Sequence, residues 1–267
     1  MMKKRFSLIA VVAVLIAATF IVGCNGGEET GGTLQFYANG EDFVRQGFVS
    51  KDGWSISFDH VYVVLDDVAA YQTDPPYDPH EGSDIEAEVM VGLEGLHTVD
   101  LAEGDEDALP IRLGDVQAGV GHYNAVSWKM AKAPAGPAEG YSLVIMGTAT
   151  KDGESIDFTI NVEDEYGYAC GEYVGDERKG IVQDGATADV EMTFHFDHIF
   201  GDAGTPLDDS LNVGAVGFEP FSVIAQDGEL NENMAGLQEK LSLEAYEALV
   251  TMLPTLGHVG EGHCHCE

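Results

Sequence analysis

The chain has 267 residues with 47 acidic and 12 basic side chains, a formal charge of −35. A surface this negative excludes nucleic acid as a partner, because that binding needs a cationic footprint, and self-repulsion makes such a fold lean on screening salt or bound cations. Apolar residues make up 45% of the chain, ordinary for a globular domain, so the acidity marks either a saline habitat or cation binding rather than disorder.

Lys3, Lys4 and Arg5 precede an uncharged apolar run over 6–22, the layout of a secretory signal. The run closes on Ile21, Val22, Gly23 and Cys24, which resembles the lipobox of bacterial lipoproteins, so cleavage before Cys24 and lipidation of that cysteine are expected. The sequence thus predicts a signal peptide at 1–23, a flexible tether at 24–33, and a lipid-anchored protein in the cell envelope, outside the cytoplasm. After cleavage nine basic residues face 47 acidic ones, a formal charge of about −38.

Strand signals come next, one after another. Trp54 to Val64 is rich in aromatic and β-branched residues and comes after the turn Lys51-Asp52-Gly53. The phrase recurs as Lys151-Asp152-Gly153 before Ser155 to Val162, and as Asp184-Gly185 before Ala188 to Phe200. Further strands are expected at Leu34 to Tyr37, Leu96 to Leu101, Gly121 to Met130 and Tyr141 to Ala149. Together they predict an all-β fold, an antiparallel β-sandwich over 34–226. Acidic loops at 73–88 and 103–107 suit solvent or calcium, without the ligand spacing of an EF-hand. Residues 227–267 read as an appendage. In it Leu243, Tyr246, Val250 and Leu253 fall at helical spacing, Ser242 is the expected N-cap, and a His/Cys-rich tail ends the chain.

Three groups of side chains carry candidate chemistry. Phe58-Asp59-His60 and Phe196-Asp197-His198 repeat one tripeptide, and the second is preceded by His195. If this stretch is a strand, His195 and Asp197 share a face while His198 points away. Imidazole and carboxylate suit a transition ion, and His195 with Asp197, joined by His60 or His198, form the expected site. The tail adds His258, His263, Cys264, His265 and Cys266, a soft donor set that fits copper or zinc. With Cys24 lipidated, Cys170, Cys264 and Cys266 remain, so a disulfide of Cys170 with Cys264 or with Cys266 competes with metal for the tail thiols. Cys170 has no histidine near it in sequence, and neither a nucleophile elbow nor a phosphate loop is present, so no enzyme is expected.

The segments HTVDLAEG (97–104), LPIRLGDVQAGVGHYNAVSWKMAKA (109–133), GYSLVIMGTATKDG (140–153) and TFHFDHIFGD (193–202) resemble uncharacterised β-sandwich domains of bacterial lipoproteins. They are also similar to the periplasmic copper-binding partners of methanobactin systems. That resemblance implies histidine ligands and a modified tryptophan; Trp54 and Trp128 are the tryptophans available, and both read as core. The expected function is a tethered protein that binds copper or zinc for uptake, buffering or delivery to an envelope partner. The alternative is a surface interaction or carbohydrate-binding module whose histidines are structural.

Overall fold

A computed structural model of the chain describes residues 31–267 apart from Ser83. The expected signal peptide, Cys24 and residues 24–30 of the expected tether lie outside the described residues; β1 begins at Gly31, inside the stretch expected as tether. Among the described residues no helix is long and apolar enough to cross a membrane.

The chain is predominantly β. The first half contributes β1 (Gly31–Asn39), β2 (Phe48–Val49), β3 (Ser55–Gln72), β4 (Val89–Gly92), β5 (His97–Asp100), β6 (Ile111–Gly119), β7 (Gly121–His122) and β8 (Ala125–Met130). The second adds β9 (Leu143–Lys151), β10 (Glu154–Val162), β11 (Tyr166–Cys170), β12 (Ile181–Val182), β13 (Thr187–Phe194), β14 (Glu229–Asn233), β15 (Gly257–Val259) and β16 (Gly262–Cys266). Short helices α1 (Glu41–Gln46), α2 (Asp197–Phe200), α3 (Ser210–Gly214), α4 (Glu219–Ile224), α5 (Met234–Lys240) and α6 (Leu243–Met252) fill the connections.

Hydrogen bonding is continuous in the order β14-β10-β9-β3-β8-β11-β16-β15-β13-β1-β6, with β2, β4 and β5 also paired to β3, in one sheet of 14 strands. The sheet is mixed rather than wholly antiparallel, because β1 runs parallel to β13 and β10 parallel to β14. It curls so that inward residues of β1 (Leu34, Phe36), β3 (Val61, Val63) and β10 (Phe158, Ile160) join one hydrophobic core. Strand β1 shows strict alternation of half-buried and buried residues, the signature of one face turned inward. Trp54 and Trp128 are both buried there, as their sequence context implies.

Residues 227–267 are built into this sheet. β14 forms one edge, while β15 and β16 lie inside it between β13 and β11. The His/Cys tail is therefore a β-hairpin, because unpaired backbone groups entering a sheet interior must take up its ladder. Helix α6 is present and Ser242 caps it, its hydroxyl accepting the Ala245 N–H at 3.2 Å. Its buried side is Ala245 and Leu249; of the expected stripe Leu253, just past the helix, is fully buried and Tyr246 packs half-buried on the core, whereas Leu243 and Val250 are exposed. Periodicity alone does not settle which edge of the stripe faces the core.

Candidate metal centre

Strand β13 stops at Phe194, and the helical turn beyond it decides the site. Phe196 caps this single turn, α2, with Phe200 N–H reaching back to Phe196 O at 3.3 Å. The side-chain period changes from two to 3.6 at this point. His198 is thereby turned to the side of His195 and Asp197 instead of the opposite face expected for a continuous strand. The turn is pinned from below, since Phe196, Ile199 and Phe200 are fully buried and Phe196 meets Phe58 with ring centroids 6.1 Å apart. Burying side chains of this size is worth about 2–3 kcal/mol each.

His195, Asp197 and His198 each offer one ligand atom within 4.8 Å of the others, and this group could hold a metal ion. Strand register brings in two more imidazoles. β15 pairs with β13 so that His258 lies opposite Thr193, and the hairpin sets His263 opposite His258. The His258 ring centroid is 4.3 Å from that of His195, 5.0 Å from His198 and 5.1 Å from His263. The hairpin turn requires Gly260, whose φ is 59° and where an added Cβ would collide with the Val174 carbonyl oxygen.

Outer hydrogen bonds fix which nitrogens carry protons. His258 Nε2 donates to the Thr255 carbonyl at 3.0 Å, and His195 Nε2 donates to the Gly260 carbonyl at 3.3 Å. The Thr255 hydroxyl gives its only proton to Met252 O at 2.8 Å, so it accepts from His198 Nδ1, also at 2.8 Å. The lone pairs left for a ligand are Nδ1 of His195, Nε2 of His198 and Nδ1 of His258. His258 Nδ1 and Asp197 Oδ1 are buried with no hydrogen-bond partner. They are two of six such atoms among the described residues, and their place beside the imidazoles makes a ligand a candidate partner for them.

Electrostatics favours the ligand-competent state of the two buried imidazoles. Burial first, then repulsion from the neighbouring imidazoles, lowers His198 to about 4 and His258 to about 3, so both are neutral at ordinary pH. Burial also raises the Asp197 carboxyl, with His195 opposing. Glu41, 3.6 Å from His195 Nε2, is raised by burial too, again opposed by His195.

The remaining candidates lie elsewhere. His60 binds Asp100, Nδ1 to Oδ2 at 2.6 Å, and stacks on Tyr62; the two tripeptides meet through their phenylalanines while their histidines diverge. Cys170 and Cys264 face each other across β11 and β16 and form a disulfide, which removes Cys264 from any thiolate set. Cys266 is free but half-buried opposite Tyr168, and burial pushes its thiol up to about 11, against the Tyr168 hydrogen bond. It is thus protonated and a poor ligand. His265 lies against Gly82 and 3.6 Å from Glu267. Among the described residues the acidic loops at 73–88 and 103–107 gather no comparable donor group.

Sequence reasoning missed Glu41 and Thr255. Neither shares a local pattern with the histidines, and only the β1–α1 turn and the 3-10 turn Leu253–Thr255 after α6 bring them near. Comparison of the chain with protein-family models, with curated proteins and with solved structures finds no match.

Proposed function

We propose that this protein is a lipid-anchored, extracytoplasmic metal-binding protein that holds a divalent transition ion, zinc or copper(II), at His195, Asp197, His198 and His258. The observation that carries the reading is the pair of unpartnered buried atoms, Asp197 Oδ1 and His258 Nδ1, beside a converging His-Asp-His group. With Cys264 in a disulfide and Cys266 protonated, the donor set is nitrogen and oxygen. Such a set suits zinc or copper(II) better than copper(I), which the tail thiols would have favoured. The lipobox supports an envelope location, and the disulfide fits an oxidising compartment. Uptake, buffering and delivery to an envelope partner are all compatible roles for a tethered binder.

The test is metal analysis of protein purified without an affinity tag, followed by calorimetric titration with zinc and copper(II). Cutting the tail at Gly257 would remove two interior strands, so point variants are needed. Wild type should bind one ion at micromolar concentration or tighter, and His195→Ala with Asp197→Ala should abolish binding. His258→Ala should weaken it, while His60→Ala should leave it unchanged. If wild type takes up neither ion, the histidines are structural and a surface interaction or carbohydrate-binding module becomes the better reading.

A further inference from the structure

Behind the residues that face the proposed ion stands a carboxylate with a strained backbone. Glu41 opens α1 with φ of 58°, in the left-handed region that a side chain with a Cβ occupies only when its surroundings hold it there. Those surroundings are specific. Asn39 Oδ1 accepts the Glu41 backbone N–H at 2.9 Å, and Asn39 Nδ2 donates to Glu191 Oε1 at 2.8 Å. The other Glu191 oxygen accepts from Lys179 Nζ at 2.6 Å, so the chain of contacts ends on a half-buried charge pair.

The result sets Glu41 Oε1 3.6 Å from His195 Nε2, the same nitrogen that points its proton at the Gly260 carbonyl. We propose that Glu41 is a positioning residue for the metal centre, its carboxylate backing the Nε2–H of His195 so that Nδ1 is presented as the donor. This inference rests on the metal reading above. The Gly260 carbonyl already sets the tautomer, and a negative group beside the outer nitrogen adds to the hold on the ring and raises its basicity as a ligand. The left-handed φ is part of what sets the direction in which the Glu41 side chain leaves the backbone. Glu41 borders an open cleft of about 500 Å³, shared with Asn39, Asp42, Phe43, Gln46 and Gly47, so changes there do not crowd the core.

The experiment pairs calorimetric titration with zinc and thermal melting of the metal-free protein, for wild type, Glu41→Gln and Glu41→Gly. Glu41→Gln should weaken zinc binding by roughly 10–100-fold while the metal-free melting temperature stays where it was. Glu41→Gly relieves the left-handed backbone, so it should melt higher than wild type when metal-free and yet bind zinc more weakly. Opposite movements of stability and affinity are what a merely structural glutamate would not give. If Glu41→Gln binds zinc as tightly as wild type, or if Glu41→Gly loses stability and affinity together, the assignment of Glu41 is overturned and the metal centre stands. If wild type binds no zinc, both are overturned.

Discussion

Removing the Cys170–Cys264 crosslink tests how the C-terminal hairpin is held. The two cysteines are 94 residues apart, and closing a loop of this length restricts the unfolded chain by about 4.7 kcal/mol in the chain-entropy account. The double change Cys170→Ala with Cys264→Ala should therefore lower the melting temperature by roughly 10–20 °C, at about 2–4 °C per kcal/mol for a domain of this size. The native state should change little, because β16 keeps its pairing with β15 and β11. Calorimetry on metal-free wild type and variant measures the shift, and zinc titration well below both transitions reads the site. Zinc binding should persist, since His258 sits on β15 and is held by β13, on the side of the hairpin away from the disulfide. A shift below about 3 °C would refute the reasoning, showing that sheet pairing alone fixes the C-terminus and that the crosslink adds nothing.

The buried histidines predict a defined acid response of the metal-free protein. His198 and His258 titrate at 6.5 when unfolded but near 4 and 3 in the fold, so between those limits the unfolded chain binds more protons. Their stabilisation is complete above pH 6.5 and is lost as pH falls toward 4. By pH 5 the loss reaches at most about 2 kcal/mol per histidine. Asp197, raised by burial, acts in the opposite sense, so the measurement is the difference in denaturant unfolding between wild type and His198→Gln with His258→Gln, at pH 7 and pH 5. Parallel behaviour of the two proteins would contradict the prediction. Anchoring is tested separately: Cys24→Ala should leave the precursor uncleaved and unlabelled by radioactive palmitate, and normal lipid incorporation by that variant would overturn the lipoprotein reading.

The sequence by itself determined what local chemistry encodes. Alternating apolar residues gave a predominantly β fold, the Ser242 cap located α6, and the cysteine count left Cys264 and Cys266 as candidate disulfide partners for Cys170. Donor density picked out His195, Asp197, His198, His258 and His263, together with His60, Cys264, His265 and Cys266, because donors grouped within a few residues are visible without a fold. Only the tertiary structure decided how these combine. The switch from strand to helical turn after Phe194 brought His198 beside His195, and that switch comes from burying Phe196 and Phe200 in a core supplied by distant strands. Sheet register then set His258 and His263 next to that turn, sent His60 to Asp100, and committed Cys264 to Cys170. Register is a property of pairs of strands far apart along the chain, so no window of sequence contains it. For the same reason Glu41 was invisible: its tie to His195 runs through a left-handed turn and a strand pairing, and composition records neither.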